Sequence, residues 1–381
     1  MDKPGVLILS PFFSPNIGGV ETYLDDLCEY LIKQNYRIYV VTYQPLTTRC
    51  KGLKVEKKGE LEIRRITWFG HNWFHKLEPY PLLEFLYLMP YLFIYTFFFL
   101  LMSHKKIDVI HAHGITVAFI TKFLVKIFKK RAVMSTCAVY NLPQRPLFAR
   151  VVKWILSSFD KILPLANYSK SELIHIGIPE NKMNTYYLWV DQEKYKPRNK
   201  KEIKEKIDFK EKFIVLFIGR LIKQKGVKIL LEVAEQVDKK INFVFIGDDG
   251  PLLKDIEQLG ARYENIVLVK GIRGHQLIPY YQGADILIIP SQYEEAFGKV
   301  IIEALSCGTP VIGANKGAIP DILDSSVGRV INPTIENIKR EIEYLYNYPD
   351  KLSQLTVNCR SYAEKFFSEK NAEIISKSYF S

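Results

Sequence analysis

Two periodicities alternate along the chain. Apolar runs at residues 6–10, 37–42, 161–164, 213–218, 242–246, 266–269, 286–290 and 311–314 are separated by stretches where apolar residues return every three or four positions. Val20, Tyr23, Leu24, Leu27 and Leu31 show the second pattern, as do Val300, Ile301, Ala304 and Leu305. Runs without alternation belong to strands covered on both faces, so the pattern predicts parallel sheets flanked by helices, an α/β fold. Gly308 and Pro310 stop the helix that begins at Lys299 before the next strand. Residues 52–65, charged and rich in turn formers, predict a peripheral hairpin, and the Lys/Glu run 198–212 predicts a solvated helix.

One stretch departs from this pattern. Residues 85–102, FLYLMPYLFIYTFFFLLM, carry no charge and are long enough to cross a bilayer. A strand follows at 108–114 and must join the sheet that contains 6–10, which makes the apolar helix a crossover packed on that sheet. A crossover needs one apolar stripe; this helix is apolar all round, so its outer face must meet something. Phe119, Phe123 and Phe128 stand beside Lys122, Lys126, Lys129, Lys130 and Arg131, and Trp154 beside Arg150 and Lys153. Basic and aromatic residues around apolar faces fit a helix lying in a bilayer interface, although ordinary solvated helix faces share the pattern. The expectation is monotopic attachment to an anionic membrane surface through the N-terminal domain.

Length and charge narrow the class. A chain of 381 residues exceeds what one core supports, so two domains are expected. Cys28, Cys50, Cys137, Cys307 and Cys359 are scattered without metal-ligand spacing, which predicts a reducing cytoplasm and no metal site. The apolar run 6–9 is too short for a secretory signal. Residues 1–190 hold a net +10 of the chain's +12. A basic half suits nucleic acid, an anionic membrane or a phosphorylated substrate.

Candidate chemistry lies where strands run into helices. Between strand 286–290 and the helix from Lys299 stand Glu294, Glu295, Ala296, Phe297 and Gly298, with Glu303 one turn into the helix. Both Glu295 and Glu303 are expected to face one crevice at the carboxyl edge of the sheet, where free backbone N–H groups favour phosphate. Solvated caps are the plain alternative. After strand 213–218 come Gly219, Arg220 and Lys225, two cations able to converge on a diphosphate, unless they are ordinary surface charges. Gly18 and Gly19 stand between a strand and a helix, where a ligand can approach the backbone, or where a turn merely needs them. His111 and His113 flank Ala112 at a strand end and are expected on opposite faces; a structural role is the default for either.

Taken together, these motifs carry a resemblance. E-A-F-G from Glu295, a second glutamate eight positions later and C-G-T-P-V-I resemble the E-x7-E signature of glycosyltransferase family 4. G-R-x4-K-G at Gly219, G-G-x-E at Gly18 and H-A-H-G at His111 resemble its other motifs, in order. The resemblance implies a GT-B fold, two Rossmann-like domains with parallel sheets facing a central cleft. It implies 1–192 as acceptor domain, 193–365 as nucleotide-sugar domain and 366–381 as a helix crossing back. The implied activity is retaining transfer from a nucleotide-sugar, UDP-sugar being commonest among relatives, to a hydroxyl of a lipid-linked saccharide or glycolipid at the cytoplasmic membrane face. Implied catalytic residues are Arg220, Lys225, Glu295 and His113; implied donor contacts are Gly18, Gly19, Gly219, Phe297, Gly298, Lys299, Val300 and Glu303, the last on ribose hydroxyls. Arg220 and Lys225 would stand in for a divalent metal, so neither metal nor cofactor is expected. The chain departs from the family at Cys137, Leu188, Trp189 and the turn 247–251, which has one extra Asp. A GT-B epimerase or phosphorylase is the alternative activity. A nucleic-acid binder, the alternative class, explains the charge but not motifs in the near-neutral half, and no nucleic-acid partner is expected.

Overall fold

The computed structural model describes residues 3–70, 73–77, 79–248 and 250–381, with His75 and Pro81 described for backbone alone. Asp249, the extra residue of the turn 247–251, lies outside the described residues. The chain divides into two compact units, Met1–Tyr186 with Lys370–Ser381, and Tyr187–Glu369.

In the first unit the elements run β1 (Gly5–Leu9), α1 (Gly19–Lys33), β2 (Arg37–Tyr43), β3 (Val55–Lys58), β4 (Leu61–Ile66), α2 (Trp73–Leu77), α3 (Pro81–Ser103), β5 (Val109–His113), α4 (Ile115–Phe128), β6 (Arg131–Ser135), α5 (Pro146–Leu156), β7 (Lys161–Leu163) and α6 (Ala166–His175). The sheet order is β3-β4-β2-β1-β5-β6-β7, parallel except for the β3–β4 pair. The expectation of a peripheral hairpin at 52–65 is half corrected. β3 is an edge strand, but β4 pairs in parallel with β2 and belongs to the sheet. Charge hid the fact that Ile63 and Ile66 are buried. Arg65 between them is buried too, its guanidinium donating to the Ser14 carbonyl and paired with Glu56 at 2.7 Å.

The second unit runs α7 (Lys200–Lys206), β8 (Phe213–Ile218), α8 (Val227–Gln236), β9 (Ile241–Ile246), α9 (Leu253–Arg262), β10 (Ile266–Val269), α10 (Ile278–Gly283), β11 (Ile286–Ile289), α11 (Lys299–Ser306), β12 (Val311–Ala314), α12 (Ile319–Ile322), β13 (Gly328–Ile331), α13 (Ile335–Asn347) and α14 (Pro349–Phe366). Its sheet is wholly parallel in the order β10-β9-β8-β11-β12-β13. The run expected as one helix over 198–212 is helical only at 200–206. The C-terminal segment is broken, α14 ending at Phe366 before α15 (Lys370–Lys377) joins the first unit.

Counted from its first strand, the second sheet has the doubly wound order 3-2-1-4-5-6, and the first repeats it with β3 added at the edge. In this topology the chain leaves the first strand to one side and returns on the other, opening a crevice at the carboxyl ends of the two central strands. Those strands are β1 and β5 in the first unit, β8 and β11 in the second. G-G-x-E, H-A-H-G, G-R-x4-K-G and E-A-F-G sit at these ends, while C-G-T-P-V-I leads from α11 into the start of β12.

Candidate active site

In the second unit, the loop after β8 and the loop after β11 are tied to each other. The Gln292 N–H donates to the Gln224 carbonyl at 2.7 Å. Gly226 has φ +77°, and a Cβ there would run into the Pro290 carbonyl, so only glycine lets the two backbones approach. This packing carries Lys225 to Glu295, with Nζ 2.6 Å from Oε1. The Glu295 carboxylate also accepts from Ser291 Oγ and, at 3.0 Å, from Tyr293 Oη. Behind it, the Ala318 N–H donates to the Glu295 carbonyl at 2.8 Å, and Gly317, at φ +55°, leaves room for the Glu295 backbone. Glu295 is thus buried and held from three sides. Burial opposes charge on Lys225, yet the Glu295 carboxylate and Tyr293 outweigh it and lift the ammonium's pKa. Lys225 stays cationic.

Arg220 follows β8 directly, is exposed, and makes no ion pair with any described residue. Gly219 before it has φ +156°. The other end of the site is the start of α11. Gly298, at φ +86°, turns the chain into the helix and makes no side-chain cap hydrogen bond itself, so the positive end of the α11 dipole lies at this turn. Phe297 is buried against the rings of Tyr187 and Phe367 and fixes this turn from beneath.

Glu303 stands apart from this set. It is buried five residues into α11, where its carboxylate accepts from Tyr281 Oη at 2.6 Å and Tyr195 Oη at 3.4 Å. The two glutamates expected to face one crevice therefore have different hydrogen-bonding partners. Sequence reasoning passed over Tyr281, Tyr195, Ser291 and Tyr293; only Ser291 and Tyr293 stood close enough in sequence to Glu295 to draw attention.

In the first unit, α1 begins at Gly19, and a Cβ there would meet nothing within 4 Å, so the helix start is open. Beside it, a Cβ on Gly18 would collide with the Glu21 carboxylate, which Asn16 Nδ2 holds in place. Asn16 Oδ1 in turn accepts from Thr47 Oγ1 at 2.8 Å. Burial raises the Glu21 pKa. The fourth position of G-G-x-E therefore anchors the loop from below, a role the motif alone did not disclose.

The expectation that His111 and His113 face opposite sides is wrong. Side chains alternate along a strand, so residues two apart share a face, and the two rings lie 4.0 Å apart between centroids. Their surroundings differ. His111 is satisfied at both nitrogens, by Tyr379 Oη at 2.9 Å and Ser135 Oγ at 2.8 Å. His113, at the carboxyl end of β5, is buried with neither ring nitrogen hydrogen-bonded, and burial depresses its pKa to about 3. A neutral, unpaired imidazole at a switch point is a group awaiting a polar partner. Cys137, two residues beyond β6, is a thiol pushed up to about 12 by burial.

Among the described residues, no group of three or more His, Cys, Asp and Glu side chains is placed to hold a metal ion. Asp248 accepts from the Gly271 N–H at 2.6 Å and pairs with Arg273 at 2.7 Å, which ties one loop to the next.

Comparison with known proteins adds to this geometry. Residues 199–366 match the family described as glycosyl transferases group 1, and residues 17–194 match glycosyltransferase family 4. The chain is 28% identical over 290 residues to an uncharacterized 41.2 kDa protein in the cps region of Klebsiella pneumoniae, covering 71% of this chain and 77% of that one. It is 22% identical over 340 residues to a phosphatidylinositol N-acetylglucosaminyltransferase subunit of Saccharomyces cerevisiae, covering 84% and 70%. Its fold is similar to that of HepE from Anabaena, solved in complex with UDP, with a TM-score of 0.78, 18% identity and 99% of each chain covered.

Proposed function

We propose, from the premise that this chain belongs to the group 1 glycosyltransferases and has the GT-B fold, that it moves a sugar from a nucleotide-sugar, a UDP-sugar foremost, to a hydroxyl of a lipid-linked saccharide or glycolipid, with retention at the anomeric carbon. The observation that carries the reading is the Lys225–Glu295 pair at 2.6 Å, fixed between two loops at the switch point of the second sheet. Lys225 and the unpaired Arg220 neutralise a departing diphosphate, the task a divalent metal performs elsewhere. The positive end of the α11 dipole adds to the same electrostatic field. Glu295 accepts from sugar hydroxyls. Glu303 reaches the ribose if the ribose hydroxyls take the place of its tyrosines.

As the bond from anomeric carbon to phosphate oxygen breaks, the acceptor oxygen bonds to the same face of that carbon, and its proton passes to the leaving phosphate. His113, neutral above about pH 3, gives or accepts a hydrogen bond to sugar or acceptor without carrying charge. Gly18 and Gly19 leave the start of α1 open to the donor. Two of the three proteins compared support the reading in different ways, one named for transfer to a phosphatidylinositol and the other solved with UDP. We propose further that the reaction takes place at the inner face of the cell membrane.

The test is product analysis with a panel of nucleotide-sugars, with and without a polyprenyl-linked saccharide, and anomeric configuration read by NMR. A glycosylated acceptor with retained configuration supports the proposal. An inverted product, or sugar chemistry that proceeds equally without acceptor, as in an epimerase, overturns it.

A further inference from the structure

The crossover helix α3 is buried on one side only. Leu88, Leu92, Phe99 and Leu100 face the core, and Tyr43 Oη donates to the Leu88 carbonyl at 2.6 Å. The other side, with Leu83, Leu86, Ile94, Phe98 and Met102, is exposed, Met102 to 76%. Neighbouring helices continue that surface. Phe85 meets Phe119 of α4 at 5.1 Å between ring centroids, and Phe123 of α4 meets Trp154 of α5 at 6.1 Å. On α5, Ala149, Val152 and Ile155 point inward while Leu147, Val151 and Trp154, one helical stripe, point outward.

Charge decides what covers this face. From Phe85 to Phe159 the chain holds ten Lys and Arg but one acid, Asp108, whose carboxylate accepts from the Gly5 N–H at 2.8 Å. Lys126, Lys129, Arg145, Arg150 and Lys153 are exposed around the apolar stripe. A second copy would bring like charge to this rim, whereas an anionic bilayer offers both hydrocarbon for the stripe and phosphate for the cations. Topology decides the depth. β4 and β5, the strands on either side of α3, belong to one sheet, so the helix starts and ends on the same side of any membrane. A single span would set them on opposite sides.

We infer that α3, α4 and α5 together form a monotopic docking face for an anionic lipid bilayer, with the outer stripes of α3 and α5 sunk among the acyl chains and the cations at the phosphates. The claim goes beyond the transferase reading, because lipid binding is read without donor or acceptor. The full chain is co-sedimented with vesicles of phosphatidylcholine alone and of an equal mixture with phosphatidylglycerol. Two variants altered only at exposed positions are run beside it, Leu147→Glu/Val151→Glu and Lys126→Gln/Arg150→Gln/Lys153→Gln. The inference expects binding to the mixed vesicles that weakens with salt and is released by alkaline carbonate. It expects about fivefold loss per cation removed, about a hundredfold for the triple variant, and loss in the Glu variant as well. Equal binding to both vesicles, no effect of either variant, carbonate-resistant insertion, or a stable dimer in solution that the Glu variant dissociates would each overturn it.

Discussion

Replacing Lys225 by Met keeps the side-chain stem and removes the charge. It leaves Glu295 buried with only the Ser291 and Tyr293 hydroxyls for company. Removing one partner of a buried ion pair costs about 3–5 kcal/mol, because the remaining charge is left without compensation. The Lys225 side chain retains 22% exposure, which places the expectation at the lower end, about 3 kcal/mol. If the cost comes from the stranded carboxylate, Lys225→Met/Glu295→Gln relieves it, since the neutral glutamine accepts from one hydroxyl through its oxygen and donates to the oxygen of the other through its amide N–H. The double variant should recover to within about 1 kcal/mol of the parent. Catalysis should separate from stability. Both variants lack the cation facing the leaving diphosphate, and turnover should fall by about 10² or more in each. Urea denaturation gives the first quantity and product formation at saturating donor the second. Unfolding within about 1 kcal/mol of the parent for Lys225→Met, or turnover restored in the double variant, refutes the reasoning.

Two further outcomes follow from the same geometry. His113 has a folded-state pKa of about 3 against an unfolded value of about 6.5, so the unfolded chain binds the proton first and stability falls as pH drops below 6.5. At about 1.4 kcal/mol per pH unit, His113 alone withdraws about 2 kcal/mol between pH 7 and pH 5, and His113→Gln should remove that part of the slope in urea titrations at the two pH values. An unchanged slope contradicts the burial argument. Gly226→Ala forces a side chain into a positive-φ turn against Pro290 and should cost about 1–3 kcal/mol, whereas Gly19→Ala, facing open space, should leave stability within about 0.5 kcal/mol and raise the KM for donor; equal stability loss in both would count against the difference drawn between these glycines.

Which parts were legible in the sequence has a physical basis. Continuous apolar runs disclosed the strands because parallel strands are covered on both faces, and the motifs could be placed because each sits where such a run ends. β4 was missed as a sheet strand because Arg64 and Arg65 interrupt its apolar positions, and a buried arginine paired with Glu56 leaves no trace in hydropathy. The distinction between His111 and His113 depends on Tyr379, which is 268 residues from His111. Partners so distant cannot be read from spacing. Glu303 shows the same limit, since Tyr281 and Tyr195 reach it from α10 and from the segment before α7. The outer face of α3 was legible as an excess of apolar residues, and the cations were legible beside the aromatics of 117–131 and 145–156; that Phe85 of α3 meets Phe119 of α4, and Phe123 of α4 meets Trp154 of α5, was not.

Calorimetric titration of the full chain with UDP, beside Arg220→Ala, tests the central claim most directly. Arg220 is exposed and unpaired, so the substitution should leave the fold intact while removing a diphosphate contact. The account predicts saturable binding by the parent and affinity weaker by about tenfold to a hundredfold in the variant, the worth of one hydrogen bond to a charged group. Binding of equal strength to both proteins, or none to the parent with any nucleoside diphosphate, would contradict it.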